Sequence, residues 1–357
     1  MIKFTFIIIL FYWFLINRKD EKARARYNII IAVLFFLMMG LRNEAIYGDT
    51  YGYVKNFWDL QNMSVEDIIF RWPKDTFFYI FTHFLHPLVF HDYTLWLLFI
   101  AALYMYPMYL IVKRYSDSFM YSWVCFFFFG LMFFAMAGIR QTMAFGLVMA
   151  AFIMLLDGKK RYFFALIVAA FFFHGTSLIC LIYYPLSKMK FGSKMLIWYF
   201  VAFVVLMTMG APILQHTIEL IGDNDPRYIA YGNNLHGSNY TYMLQQALII
   251  IPSLYILRNR YHEPLVAVFS HMSIVAFLFV SMSPVIAEMF RLSMYFSWAD
   301  IILFSMAMVE GAKKGSNLSY LYVFLFVVYC VFISKSACRE YYFWFEDTSH
   351  IIRNFWI

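Results

Sequence analysis

Apolar residues are grouped along this chain into long runs separated by short polar stretches. The runs fall near 4–16, 27–41, 93–112, 119–137, 142–156, 162–173, 176–187, 195–209, 242–257, 264–281, 292–309 and 318–335. A helix needs about 20 residues to cross the hydrocarbon core of a bilayer, and fewer where the bilayer thins. The pattern therefore predicts an all-α, polytopic integral membrane helical bundle of about twelve transmembrane helices. A further stretch, 76–90, is apolar but interrupted by His83, His86 and Pro87. The two runs flanking His174 are short for two spans and slightly long for one. The longest polar stretch, 42–75, is too short for a soluble core of its own. Residues 1–357 thus read as a single multi-span membrane domain with two longer loops, 42–75 and 210–241.

Composition agrees with this pattern. The chain is 63% hydrophobic and 14% charged, whereas a soluble chain is nearer half apolar and about a quarter charged. These figures exclude a soluble globule, a disordered chain and a disulfide-stapled scaffold. The net charge of +7 is read as an orientation signal and not as a nucleic-acid surface. If the short loops 17–26, 113–118, 157–161, 187–194, 258–263 and 310–317 face the cytoplasm, they hold 17 of the 28 Lys+Arg and 6 of the 21 acids. That is a positive-inside arrangement. It requires 76–90 to re-enter or lie along the outer side, and 162–187 to be a bent hairpin with His174 at its outer tip. The termini and both longer loops are then extracytoplasmic. The first run, Phe4–Ile16, is followed by charges and not by a small-residue cleavage site, so it reads as a retained span.

The polar residues left on the outer side carry the chemistry. Arg42, Glu44, Asp49 and Tyr53 follow the second span. Arg140 and Gln141 lie between two apolar runs, and His174 precedes Gly175-Thr176-Ser177, which predicts a helix break. Asp225, Arg227, Tyr228, Tyr231 and His236 lie in the second long loop, and Glu288 and Arg291 open a late span. Spare basic residues belong on the other side, so arginines at the outer ends of separate spans need a reason. One is ordinary ion pairing, Arg42 with Glu44 or Asp49 and Arg291 with Glu288. The other is an anion site, because guanidinium matches phosphate oxygens two at a time. Cys125, Cys180, Cys330 and Cys338 form no C-x-x-C pair and read as small hydrophobes. His83, His86 and His91 do not share one helical face with a carboxylate, so no metal is expected.

In this order, Gly40-Leu41-Arg42, Gly48-Asp49-Thr50 with Tyr53, Gly138-Ile139-Arg140-Gln141, Phe173-His174-Gly175-Thr176-Ser177, and Arg291 before Tyr295-Phe296 resemble the EpsG/Wzy type of oligosaccharide repeat-unit polymerase. The spacer Asn43–Tyr47 departs from the usual pattern. The resemblance implies a bacterial inner-membrane glycosyltransferase with an extracytoplasmic active site. It would polymerise undecaprenyl-pyrophosphate-linked repeat units into O-antigen, capsule or exopolysaccharide, without a cofactor. Arg140 and Arg291 then bind pyrophosphate, with Arg42 as a third cation or an orienter of Asp49, and His174, Asp49 and Glu288 are acid–base candidates. Gln141, Tyr53, Arg227 and Tyr228 contact glycan, and a chain-length regulator is a possible partner. Rival readings are a polyprenyl-linked glycan ligase, a flippase or other transporter, and a sugar O-acyltransferase with His174 as base.

Overall fold

The computed structural model describes residues 8–9, 12–17, 19–46, 48–221, 240–283, 289–315, 322, 342–343 and 345–346. Their regular elements are all helices, with one isolated bridge between Arg42 and Phe343. The all-α expectation holds. Among the described residues seven helices are long and apolar enough to cross a membrane, and eight if a bent pair counts as one span. The predicted run 318–335 lies almost wholly outside the described residues, and the run 4–16 lies partly outside them. The chain divides into two compact units, residues 1–181 with 331–357, and residues 182–330.

In the first unit, α1 (Glu21–Gly40) starts where Asp20 accepts the Lys22 N–H at 2.9 Å. Such capping satisfies an amide that the helix leaves without an intrahelical partner. α5 (Tyr93–Tyr115) is capped in the same way by Asp92, which accepts from Thr94 and Leu95. Gly40, at the end of α1, packs on Leu98 near the start of α5, so the two helices run antiparallel. Gly130 takes a left-handed φ of 79° and breaks 119–137 into α6 (Phe119–Phe128) and α7 (Leu131–Ala137), bent by 49°. α8 (Ile139–Leu156) lies against α5, with Gly146 on the Leu103 carbonyl. Arg114 and Asp157, 3.0 Å apart, join the C-terminal ends of α5 and α8. α9 (Lys160–Phe173) returns along α8. The basic residues of 22–26, 113–114 and 159–161 thus gather at one end of this unit, as the loop charges predicted.

The stretch expected as a long loop is helical over much of its length. It contains α2 (Gly48–Leu60) and α3 (Val65–Arg71), the latter begun by a reciprocal Ser64–Asp67 cap. α4 (Thr76–Leu85) and a 3₁₀ turn (His86–Val89) follow. At 1.5 Å per residue α4 covers roughly 15 Å, about half the hydrocarbon thickness. The structure therefore gives 76–90 no full span. Val54, Phe57, Leu60, Ile68, Phe78, Tyr79 and Leu85 form one core with Trp96 and Leu97 of α5 and Ile139 and Met143 of α8. This core seats the short helices on the end of the unit opposite the basic one, where α5 and α8 begin.

A 3₁₀ stretch (Gly175–Ile182) closes the first part of the first unit, and the second unit opens with a single helical turn, α10 (Tyr183–Leu186). The spans are α11 (Ser193–Ile221), α12 (Tyr240–Leu257), α13 (Pro264–Ser281) and α14 (Met289–Lys314). Glu310 pairs with Lys314 at 2.9 Å and Arg260 at 3.7 Å, and the Lys314 amine donates to the Ile256 carbonyl at 3.3 Å. These contacts collect the ends of α12 and α14 and the start of α13. Between α12 and α14, Gln246 Nε2 donates to Asp300 Oδ2 at 2.9 Å and to Ser297 Oγ at 3.2 Å. Asp300 has no exposed surface, so Gln246 supplies hydrogen bonds that water cannot.

A side chain at Gly146 meets the Leu103 backbone. Gly146→Val should lower stability by about 1–3 kcal/mol. Gly52 faces open space, so Gly52→Ala in α2 should be neutral or stabilise by about 0.5–1 kcal/mol. Heat-induced loss of the monodisperse peak in detergent chromatography distinguishes the two. Gln246→Leu, which strips Asp300 of a donor, should shift that midpoint downward as well.

Candidate active site

At the end of the first unit opposite its basic loops, α1, α7, α8 and α9 start or stop, and helix ends leave backbone groups without intrahelical partners. Arg42, only 3% exposed, fills this need for two helices at once. Its Nη1 donates to the Met39 carbonyl in the last turn of α1, and its Nη2 donates to the Met136 carbonyl in the last turn of α7 at 2.8 Å. The Thr50 hydroxyl donates to the same Met136 carbonyl at 3.0 Å. A cation at a helix C-terminus is favoured by the helix dipole. Asn43 extends the junction: its N–H donates to the Tyr342 carbonyl at 2.9 Å, and its Nδ2 to the Glu346 carbonyl at 3.0 Å. Arg42 thus faces backbone oxygens and holds the junction together. Glu44 beside it is half-buried, and burial raises its carboxyl above the ordinary range.

Arg140 is placed differently. It is the second residue of α8, where Gly138 separates that helix from α7. Its Nε donates to the Tyr53 hydroxyl at 3.0 Å, its guanidinium lies 5.8 Å from the Tyr53 ring centroid, and its Nη1 pairs with Asp75. The Arg140 side chain is 23% exposed and that of Asp75 38%, with Arg140 Nη1 itself covered. Tyr79 lies alongside, its hydroxyl accepting from Asn56 at 3.4 Å and its ring stacked 4.0 Å from Trp72. Burial pushes the Tyr79 hydroxyl up to about 12, outweighing the pull of Arg140. Tyr79 therefore stays neutral, and the carboxylate balancing Arg140 is that of Asp75.

His174 ends α9 with extended backbone (φ −155°), and the expected helix break is present. Phe173 packs edge-on against Phe77 and Phe81 of α4 at 5.0 and 5.2 Å. That contact puts half-buried His174 at the end of the unit where α4 begins after Asp75. Asp49 is exposed in the first turn of α2, and Gln141 is buried in α8. Arg291 is exposed in the first turn of α14 in the second unit, following Phe290, which stacks on Tyr242 at 5.0 Å. Glu288, Arg227 and Tyr228 lie outside the described residues. Of the predicted residues, the structure brings Tyr53 and Arg140 into direct contact, with Arg42 and His174 at the same end of their unit.

The three histidines of 83–91 are engaged elsewhere. His83 Nδ1 meets the Leu60 carbonyl at 2.9 Å, and His86 Nε2 donates to the Phe57 carbonyl at 2.7 Å. His91 Nδ1 lies 3.3 Å from His86 Nδ1. Burial lowers His86 below the ordinary imidazole range, which suits a neutral ring stacked 3.8 Å from Phe57. Two acids escaped the sequence reading. Asp75 follows Trp72-Pro73-Lys74 in what looked like loop; the one available signal was an acid on the same side as the spare arginines. Asp300 lies within an apolar run, where an isolated acid is itself a signal.

The fold and this cluster define a multi-pass, all-α membrane protein with a partly exposed, aimed arginine at one end of its helices. Residues 25–349 match the EpsG family, and the chain belongs to that family. Membership carries an oligosaccharide repeat-unit polymerase type of role in general terms, and members are bacterial inner-membrane proteins. No curated protein and no solved structure matches the chain.

Arg42→Ala leaves the Met39 carbonyl without its side-chain donor and the Met136 carbonyl with Thr50 alone. It should destabilise by about 1–3 kcal/mol for each group left unsatisfied. Arg140→Ala, removing a partly exposed side chain, should change stability by no more than about 1 kcal/mol and leave the thermal midpoint near that of the parent. Melting curves of the two purified variants in one detergent test this contrast.

Proposed function

We propose that this protein transfers a growing glycan from its undecaprenyl pyrophosphate carrier onto a new lipid-linked repeat unit, on the outer side of the bacterial inner membrane. The basic ends of the helices face the cytoplasm by the positive-inside rule. The end bearing Arg140 is then extracytoplasmic. The observation that carries the reading is Arg140 itself: a guanidinium at the mouth of a spanning helix, aimed by Tyr53 and partly exposed.

In the transfer, the acceptor sugar's hydroxyl oxygen bonds to the anomeric carbon, and the bond from that carbon to the pyrophosphate oxygen breaks. The departing electron pair leaves charge on the pyrophosphate. A fixed cation in a poorly hydrated site stabilises that charge without reorganising. Arg140 takes this role. Arg291, exposed at the start of its helix, is the second candidate cation. Arg42, committed to the Met39 and Met136 carbonyls, acts by holding the junction. His174 hydrogen-bonds or protonates the leaving group. Asp49, exposed in its first helical turn, takes the acceptor's proton, with Glu288 the alternative. Gln141, Tyr53, Arg227 and Tyr228 remain the proposed glycan contacts, and the carrier's isoprenoid tail rests on apolar helices in the bilayer. A chain-length regulator is the proposed protein partner.

Surface-glycan gels from a deletion strain carrying each variant test the reading. The deletion strain should collapse from a ladder to one repeat unit, and Arg140→Ala should fail to restore the ladder although the protein inserts normally. Arg291→Ala should shorten or abolish it. A normal ladder with Arg140→Ala would sink the assignment. Accumulation of lipid-linked polymer in the deletion strain would point to ligation instead.

A further inference from the structure

Asp75 occupies the N-cap position of α4, where an aspartate ordinarily accepts a hydrogen bond from the first turn of its helix. Here the side chain makes no capping bond. It pairs with Arg140 instead. The carboxylate is thus not engaged in capping, and its 38% exposure gives it a path into solvent. Arg140 opens a spanning helix, at the depth where lipid headgroups lie. Phospholipid phosphodiesters are there in great excess, and a bare guanidinium binds them well. An arginine site for a scarce diphosphate lipid must therefore exclude an abundant phosphate ligand.

We propose that Asp75 is a specificity-determining residue, a resident competitor that keeps phospholipid headgroups off Arg140 and yields to a diphosphate. The proposal rests on the reading of Arg140 as the pyrophosphate cation. Exchanging the Asp75 carboxylate for a phosphodiester replaces one single negative charge by another, with no electrostatic gain. A diphosphate diester carries two charges and a second set of acceptor oxygens, so the exchange becomes favourable. Tyr53 holds Arg140 from the Nε side, leaving the guanidinium in place while its anion changes. The selectivity is thus set by charge count and needs no pocket shaped to the headgroup.

The test is native mass spectrometry of the full-length protein in detergent, with dioleoylphosphatidylglycerol or farnesyl diphosphate added. The parent should retain farnesyl diphosphate and little phosphatidylglycerol. Asp75→Asn should raise phosphatidylglycerol retention by about tenfold or more, the scale of one removed competing charge near a surface. Asp75→Glu, which keeps the carboxylate, should behave as the parent. Arg140→Ala should lose farnesyl diphosphate. If Asp75→Asn retains phosphatidylglycerol no better than the parent while Arg140→Ala has lost the diphosphate, the role of Asp75 is wrong and that of Arg140 stands. If Arg140→Ala binds farnesyl diphosphate like the parent, the underlying reading fails. Equal retention of the two lipids by the unmodified protein overturns the proposal without any variant.

Discussion

A helix that ends near hydrocarbon leaves carbonyl oxygens that water does not reach, and much of the first unit's polar end is arranged around supplying donors to them. Arg42 bonds carbonyls from the ends of α1 and α7, and Thr50 adds a second donor to Met136. These bonds fix where α7 stops, and hence where α8 starts, one residue beyond Gly138. Arg140 is the second residue of that helix, so its position follows from the same junction. One arginine is spent on the backbone and the other is left facing outward. The difference between them is burial and partner, not residue type.

The short helices between α1 and α5 complete the arrangement. α2 brings Tyr53 to the Arg140 Nε, and the turn before α4 brings Asp75 to its Nη1. Neither contact is local in sequence. Both depend on the aromatic core of Phe57, Phe78, Tyr79 and Trp96, which seats α2 and α4 against α5 and α8. Arg140 is held from two sides by a phenol and a partly exposed carboxylate, whereas Arg42 is buried among carbonyls. In the second unit the same physics appears without exposure: Asp300, in the middle of α14, is held by Gln246 from α12.

The helical class, the runs of apolar residues and the clustering of basic loops were legible in the sequence, because a spanning helix must be long and apolar and its flanking charges follow a sidedness rule. The break at His174 was legible from Gly175 and the small polar residues after it. The stretch 42–75 was less so. α2 and α3 carry too many polar residues to read as spans and too few apolar ones to show a soluble core, and their packing surface is completed by α5 and α8.

The arginines show the boundary most clearly. By itself the sequence determined that Arg42, Arg140 and Arg291 stand at the ends of apolar runs, in a chain whose basic excess lies in other loops. It left the role of Arg42 open between a third cation and an orienter of Asp49, since an arginine after a span looks the same whether it serves the backbone or a ligand. Tertiary structure decided that Arg42 turns inward to the Met39 and Met136 carbonyls and that Arg140 is shared between Tyr53 and Asp75. Asp75 is 65 residues from Arg140, and its role is set only when α4 packs beside the start of α8. Charge pairing depends on distance in space, and in this chain that distance is fixed by aromatic packing.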